Sequence, residues 1–343
     1  MEQFWIALAR AYPDRRVILC FPRVRALNPE LTAAGIEIAE FKFDFTKPRD
    51  LVRFIRRHHI GHLYLTDRPY MTWIYPLLRL SGVHSITVHD HAPGTYELPK
   101  VPKRAAKAVA VRLMGADAYL ACSNLVLDRF RAAGRIPRKR CYLARNGTAP
   151  NPLQHSEQTI RQELGITADA ILVVSCARAT RFKQIDNIID AAAVVRASRP
   201  NVPLCFIHCG NGPDIGFLAH RIRETRLEGY FRLLGTRNDM ARVLIGCDIA
   251  VHASQGEGMC LAILEFMVAA LPSVIADEPS VCQCIRNGES GLLFRCGSPE
   301  DLSVKLVRLI DDTSLRRRIG ATAQRTVTTE YDLRDTLAAV VKL

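Results

Sequence analysis

The chain has 343 residues, of which 48% are hydrophobic and 24% are charged, a composition typical of globular proteins with full cores. It contains no apolar stretch of about eighteen residues and no basic segment followed by a long apolar one at its start, so we expect neither a membrane span nor a signal peptide. Eleven scattered cysteines without Cys-x-x-Cys pairs predict a reduced, cytoplasmic protein.

The first strands and helices alternate from the start of the chain. Residues 1–12 have the pattern of an amphipathic helix, and a strand is predicted directly after it at 16–21. Further strands of this half are predicted at 62–66, 85–89 and 118–123. Short apolar strands that alternate with helices are typical of a parallel α/β sheet.

A polar segment at 146–156 contains two prolines and predicts a domain boundary near residue 150. A second series of strands is predicted beyond it, at 170–175, 203–208, 231–234, 248–253 and 273–276. Doubly wound domains bind ligands outside the carboxyl ends of their strands, so we expect a site in a cleft between two such domains.

The net formal charge of +13 comes entirely from the first part of the chain. Residues 1–150 contain 25 Lys and Arg against 12 Asp and Glu, whereas residues 151–343 contain 22 of each. A one-sided basic surface favours an anionic partner, which could be a membrane, a nucleic acid or an acidic substrate. The sequence has no recognition-helix, zinc-finger or aromatic RNA-binding motif, so we expect no nucleic acid partner.

The loop after the first strand of the second series carries two cations, Arg178 and Lys183. Two such side chains suit a diphosphate, because they would offset the charge that develops on it as a leaving group without a metal ion. A solvated basic loop is the alternative interpretation. Glycine-containing turns at 210–213 and 234–236 follow the next two strands.

Glu257 and Glu265, separated by seven residues, form the most informative pair in the sequence. Glycines at 256 and 258 predict a turn into an apolar helix that runs to about residue 270. A carboxylate on such a helix needs a partner, which could be a sugar hydroxyl or an arginine of a neighbouring element.

The start of this helix is expected to bind a phosphate, because the first amides of a helix are unpaired and lie at its positive end. The amides concerned are those of Gly258, Met259, Cys260 and Leu261. With the phosphate between them, one glutamate would face a sugar and the other a ribose. A nucleotide-sugar has this layout.

These motifs, in the order Arg-x4-Lys, Gly-x-Gly-Pro, Leu-Gly and Glu-Gly-x6-Glu, closely resemble those of the family-4 (group 1) retaining glycosyltransferases of GT-B fold. The resemblance covers nearly all of residues 85–343. It implies an α/β protein with two Rossmann-like domains that face an interdomain cleft. The acceptor domain would be 1–150, the nucleotide-sugar-binding domain 151–325, and a C-terminal helix at 326–343 would return toward the first domain.

The chain departs from the family pattern at its start, where the family has a strand and a glycine-rich loop before the first helix. The N-terminal domain is therefore expected to lack its first strand. Ser280 and Gln283 also differ from the residues that are usual in the family.

The resemblance assigns roles to particular residues. Glu257 and His89 would be catalytic and contact the transferred sugar, and Glu265 would hold the ribose of the nucleotide. Arg178 and Lys183 would bind the donor diphosphate. Asp90 and His91 would lie on the acceptor side; a metal site at 89–91 is a less favoured alternative, and no metal or cofactor is expected.

The implied reaction moves a hexosyl unit from a UDP- or GDP-linked sugar, with retention, to a lipid-linked or polysaccharide-precursor acceptor in cell-envelope or exopolysaccharide synthesis. The leaving diphosphate would act as the base, and a covalent intermediate on Glu257 is the alternative. Because a loop is expected to be missing, a catalytically impaired nucleotide-sugar-binding or partner protein is the second hypothesis.

Residues 100–114 predict a basic amphipathic helix that could bind an anionic membrane surface. Its basic residues fall at helical spacing, with Val109 and Leu113 on another side: Lys100, Lys103, Arg104 and Lys107. A solvated helix face is the alternative interpretation. The protein is expected to be cytoplasmic, at the inner face of the cell membrane.

Overall fold

The computed structural model describes residues 2–24, 29–92, 101–148 and 159–342. The chain divides into two compact units. Unit 1 comprises Met1–Ala149 and Leu333–Leu343, and unit 2 comprises Pro150–Asp332.

Unit 1 is an α/β unit with two parallel sheets. Strands β1 (Ile18–Phe21) and β2 (Glu37–Glu40) form one sheet, and β3 (His62–Thr66), β4 (Ser85–Asp90), β5 (Ala118–Ala121) and β6 (Cys141–Leu143) form the other in that order. Its helices are α1 (Glu2–Ala11), α2 (Pro29–Ala33), α3 (Pro48–His58), α4 (Ile74–Leu80), α5 (Val101–Met114) and α6 (Asn124–Ala132). Apolar residues of α1, including Phe4 and Leu8, pack against Leu120 of β5.

Unit 2 is a single doubly wound sheet of six parallel strands in the order β12-β11-β10-β7-β8-β9. The strands are β7 (Ile171–Cys176), β8 (Leu204–Cys209), β9 (Phe231–Gly235), β10 (Ile249–His252), β11 (Ser273–Asp277) and β12 (Leu292–Arg295). Helices α7 (Ile160–Leu164), α8 (Ile185–Ser198), α9 (Ile215–Glu224), α10 (Met240–Ile245), α11 (Leu261–Val268), α12 (Pro299–Asp311) and α13 (Thr313–Glu330) complete it. The strand order reverses between β7 and β10, which is the topological switch point where such sheets bind ligands.

The sheet of unit 2 is buried on both faces, as a parallel sheet between helices requires. Val173 and Phe206 pack on one side with residues of α8 and α12, and Leu172 and Ile207 pack on the other with Phe266 of α11. Because side chains on both faces of these strands are buried, nearly every residue of the strands is apolar.

The last helices differ from the expected element at 326–343. Residues up to Glu330 continue α13, and a separate helix, α14 (Leu333–Val341), begins after a break and packs with α1 of unit 1. None of the described helices has both the length and the apolar character that a bilayer crossing requires. All eleven cysteines are free thiols.

Candidate functional site

The residues around Glu257 converge at the carboxyl ends of β7 and β10. His252 is the last residue of β10, Glu257 lies on the loop that follows, and Lys183 ends a short 3-10 turn after β7. The two strands are neighbours in the sheet, so their following loops meet. The site therefore lies at the topological switch point of unit 2.

The side chain of Glu257 is 13% exposed, and its carboxylate has two cationic partners. Its Oε1 accepts hydrogen bonds from Lys183 Nζ and from His252 Nε2, the latter at 3.0 Å. Its Oε2 makes no contact of this kind with the described residues. Burial alone would raise the pKa of Glu257, but His252 and the charge of Lys183 lower it below the usual value. The group is ionised at neutral pH.

His252 has two side-chain partners. Its Nε2 is 3.4 Å from Cys260 Sγ as well as 3.0 Å from Glu257. Burial disfavours the imidazolium, but Cys260 and Glu257 raise the pKa of His252 to about 9. The ligand atoms of the three residues lie within 4.8 Å of one another, so they could hold a metal ion. The absence of a metal therefore stays a prediction.

The loop at 254–258 is tied to neighbouring elements. Ser254 Oγ donates to the Gly256 carbonyl at 2.9 Å, and the amide of Gln255 donates to the Phe182 carbonyl at 3.1 Å. The amide of Glu257 donates to Ser280 Oγ at 3.1 Å. These bonds fix the position of Glu257 relative to the turn that carries Lys183.

Helix α11 begins later than the sequence suggested, at Leu261. Gly258, Met259 and Cys260 precede it, so Leu261 is the only one of the four predicted phosphate-binding residues whose amide belongs to its first turn. Cys260, at the N-cap position, places no side-chain hydrogen bond on that turn. The phosphate-binding role of all four amides stays a prediction.

Glu265 lies on the solvent face of α11, whereas the sequence suggested apolar surroundings. Its chain neighbours Leu264 and Phe266 are fully buried, but Glu265 itself is exposed and forms no hydrogen bond or ion pair with the described part of the chain. The protein around it still removes enough water to raise the pKa of its carboxyl group. Of the two partners considered from the sequence, no described arginine pairs with Glu265, and a sugar hydroxyl as its partner stays a prediction.

Arg178 is exposed on the loop after β7 and has no hydrogen bond or ion pair with a described residue. The neighbouring glycine turn packs closely on this loop. A Cβ atom at Gly210 would lie 1.8 Å from the Ala177 carbonyl oxygen, and one at Gly212 would lie 2.3 Å from that of Ala179. The structure thus brings Lys183 to Glu257 and leaves Arg178 facing solvent.

His89 in unit 1 is buried with both ring nitrogens engaged. Nδ1 is 2.5 Å from the Tyr64 hydroxyl, and Nε2 is 3.2 Å from the Ala144 carbonyl oxygen. Burial lowers the pKa of His89 to about 3, so the ring is neutral at physiological pH. Its predicted contact with a sugar would require the ring to give up one of these bonds.

Asp90 and His91 lie at the carboxyl end of β4 beside a cavity of unit 1. Asp90 Oδ2 accepts a bond from Arg129 at 2.7 Å, and the His91 amide donates to Asp67 Oδ1, also at 2.7 Å. The cavity has a volume of about 400 Å³. Its lining combines fixed charges with aromatic rings: Asp67, Arg68, Tyr70, Asp90, Arg129 and Phe130.

Residues 156–326, nearly all of unit 2, match the family described as Glycosyl transferases group 1. This chain belongs to the group 1 glycosyltransferases. The membership predicted from the order of the motifs is confirmed; retention and membership of family 4 stay predictions.

Two curated relatives of this group 1 chain match about the same segment. N-acetyl-alpha-D-glucosaminyl L-malate synthase of Bacillus anthracis is 20% identical over 172 residues, which cover 50% of this chain and 44% of the relative. The lipopolysaccharide core biosynthesis glycosyltransferase LpsE of Rhizobium meliloti is 26% identical over 171 residues, which cover 50% of this chain and 48% of the relative. The match thus spans less than half the length of each relative.

The fold of the group 1 chain is shared with solved structures over its whole length. The crystal structure of Anabaena Alr3699/HepE in complex with UDP-glucose superposes with a TM-score of 0.80 at 21% identity and covers 99% of this chain and 94% of that one. The GT-B fold predicted from the sequence is confirmed.

Two residues that support this site, Ser280 and Gln283, were not predicted to do so from the sequence. Ser280 holds the amide of Glu257, and Gln283 Nε2 donates to the Gly258 carbonyl at 3.2 Å. Both follow β11, and both stand where the family usually has other residues. The sequence did contain a signal for them: they are polar residues that follow β11, the strand next to β10 in the sheet, so they could be expected near Glu257.

Proposed function

We propose that the chain is a retaining glycosyltransferase that moves a hexosyl unit from a UDP-linked sugar to a lipid-linked or polysaccharide-precursor acceptor, without a metal ion, at the inner face of the cell membrane. The observation that carries the proposal is the cluster of Lys183, His252 and Glu257, of which His252 is buried and the other two are partly buried, at the switch point of unit 2. The UDP-glucose in the HepE crystal structure and the names of the curated relatives support the donor and the acceptor class.

The cluster suits a sugar diphosphate for electrostatic reasons. Lys183 offers an ammonium group in a water-poor position, where it would stabilise negative charge on a leaving diphosphate more strongly than it would in water. Arg178 is exposed on the same loop and supplies a second cation. On the other side of the site, Glu265 is exposed and accepts hydrogen bonds only, as a ribose partner requires.

Glu257 would orient the transferred sugar with its unused carboxylate oxygen. Since Oε1 already has two donors, Oε2 is the atom that would accept a sugar hydroxyl. In the proposed step, the bond from the anomeric carbon to the diphosphate oxygen breaks while the acceptor oxygen bonds to the same face of that carbon. The acceptor proton passes to the departing diphosphate. If a glycosyl adduct could be trapped on Glu257, the reaction would instead be a double displacement through a covalent intermediate.

The cavity of unit 1 is proposed to bind the acceptor. Tyr70, which is partly exposed, offers a flat apolar surface for the carbon face of a sugar, and Asp67 and Asp90 are carboxylates whose positions are fixed by hydrogen bonds. His91 bonds to Asp67 through its amide and belongs to the same group. His89 would contribute to sugar contact only after exchanging an internal bond.

A donor panel tests the proposal. We expect the protein to release nucleoside diphosphate from at least one UDP-sugar and expect Glu257→Gln to lower kcat by about 100-fold or more, because a preorganised contact to the reacting sugar is weakened. Binding of UDP, measured by calorimetry, should change only a few-fold in this variant. Glu228→Gln, at an exposed position of unit 2, is the matched control and should keep wild-type turnover.

The same measurements separate this function from the alternative. Binding of UDP without turnover of any donor would favour a catalytically impaired nucleotide-sugar-binding protein. Glu265→Ala should weaken UDP binding by about tenfold in either case, because a charged hydrogen bond to the ribose is lost. Unchanged binding in that variant would show that Glu265 does not hold the ribose.

A further inference from the structure

Four large apolar side chains are exposed on two neighbouring helices of unit 1. They are Trp73, Leu80, Val109 and Leu113, with 59%, 82%, 58% and 68% of their surface exposed. Trp73 immediately precedes α4 and Leu80 ends it, and the other two lie on α5. The basic character of α5 was evident from the sequence, but the exposure of these apolar residues was not.

The exposed residues form one stripe on each helix. Trp73 and Leu80 are about two helical turns apart and Val109 and Leu113 about one, so each pair lies on one face. On α5 the opposite face is buried at Val111. The apolar stripes therefore face away from the core of unit 1.

Helix α4 is tied to the end of α5 at two points, so the two helices that carry the stripes are neighbours. The amide of Thr72 donates to the Met114 carbonyl at 3.0 Å, and Arg79 Nη2 donates to the Gly115 carbonyl at 2.8 Å. Thr72 adjoins Trp73, and Arg79 adjoins Leu80. We call the surface formed by Trp73, Leu80, Val109 and Leu113 the α4–α5 face.

The charged residues in the two sequence intervals that contain the α4–α5 face are all basic. No Asp or Glu occurs between Asp67 and Asp90, or between Glu97 and Asp117. The basic residues of the two intervals are Arg68, Arg79, Lys100, Lys103, Arg104, Lys107 and Arg112. Arg112 is exposed beside Leu113, and Lys107 Nζ lies 5.2 Å from the centre of the Tyr70 ring. Arg79 is paired with Asp117 at 3.0 Å, so Lys107 and Arg112 are the described side chains that add positive charge beside the apolar ones.

We propose that the α4–α5 face docks on an anionic lipid bilayer, with its apolar residues in the interfacial layer and its basic residues at the lipid phosphates. A tryptophan and several leucines or valines beside Lys and Arg are what an interfacial surface requires. A nucleic acid would use the cations but would leave Leu80 and Leu113 exposed to water. The inference deepens the proposed transfer to a lipid-linked acceptor, but docking is measured without turnover and can fail independently of it.

Co-sedimentation with phosphatidylcholine vesicles, with or without phosphatidylglycerol, tests the docking. The wild-type protein should bind the anionic vesicles at least tenfold more tightly than the neutral ones and should bind more weakly at high salt. The double variant Leu80→Glu/Leu113→Glu should lose at least tenfold in affinity for the anionic vesicles. Val304→Glu replaces a side chain that is 62% exposed on α12 of unit 2, and this control should bind like the wild type.

Tryptophan fluorescence gives a second readout. The chain has two tryptophans, and Trp5 packs against Tyr64 with ring centres 5.3 Å apart. Brominated lipids should quench the emission of the wild-type protein, and Trp73→Phe should abolish most of that quenching. Equal binding of the double variant, equal affinity for neutral and anionic vesicles, or binding to single-stranded RNA without binding to vesicles would each overturn the proposal.

Discussion

Burial and two cationic neighbours have opposite effects on the pKa of Glu257. Burial removes water and favours the neutral acid, whereas Lys183 and His252 favour the anion, and the anion prevails. Removing one partner of such a partly buried group costs more than breaking a fully exposed ion pair, because the remaining charge is poorly solvated. The cluster is thus stable only as a whole, which keeps Glu257 ionised and in one orientation.

His252 makes the stability of unit 2 depend on pH. The pKa of this residue is about 9 in the folded state, against an ordinary histidine value of about 6.5. A raised folded-state pKa contributes stability that is complete below about pH 6.5 and is lost as the pH rises through about 9. We expect the thermal midpoint to fall by several degrees between pH 7 and about 10, and we expect His252→Gln to flatten this dependence.

His220→Gln is the control for this pH series, since His220 is an exposed helix residue that pairs with Glu224. It should keep the wild-type slope. A His252→Gln protein with the wild-type slope would show that another group, such as a cysteine, carries the titration.

Among the elements, the loops after β7 and β8 are packed closely enough to require glycine. Gly210 has φ of +149°, and the nearest atom to an added Cβ would be a backbone carbonyl oxygen that no rotamer change can move. The loop after β7 carries Arg178 and Lys183. Its shape is therefore set by the absence of a side chain on the neighbouring loop.

Gly210→Ala should destabilise unit 2 by about 3 kcal/mol or more, because the left-handed backbone and the carbonyl contact both oppose a Cβ. Gly216→Ala is the matched change, in helix α9 with nothing within 4 Å of the new methyl group. It should stabilise the protein by about 0.5–1 kcal/mol, because alanine is the better helix former. Thermal unfolding of both variants is the measurement, and a stable Gly210→Ala protein would contradict the close packing.

On the scale of the whole molecule, charge and proposed chemistry are divided between parts of the chain. The excess of basic residues lies within 1–150, and the group 1 family match lies within 156–326. The first part carries the proposed membrane face and acceptor cavity. The second part carries the residues that the structure brings together at the proposed donor site, Lys183, His252 and Glu257.

UDP should therefore protect unit 2 selectively. A ligand at 100 times its Kd stabilises the unit that binds it by about 2.7 kcal/mol, which slows amide exchange there. We expect hydrogen exchange to slow in residues 177–183 and 254–265 and to stay unchanged in the strands of unit 1. Uridine, which lacks the diphosphate, should protect less. Protection confined to unit 1 would place the nucleotide elsewhere.

The sequence by itself determined the class of fold and the family of this protein. Strands such as β3 (62–66) appear as local apolar runs, and the ordered motifs with Glu257 and Lys183 need no coordinates to be recognised. The start of a helix depends on backbone angles that the apolar pattern does not show: α11 starts at Leu261, because extended backbone at Cys260 delays the first turn.

Only the tertiary structure decided which of these residues meet and which face water. Lys183 reaches Glu257 because β7 and β10 are neighbours in the sheet. The pattern of apolar residues along the chain predicts the two strands but not that they pair with each other. His89 is bonded on both sides within unit 1, and Leu80 lies outside its core, because burial depends on the elements packed against each residue. Local patterns specify elements, whereas the contacts of a side chain depend on residues that are distant in the sequence.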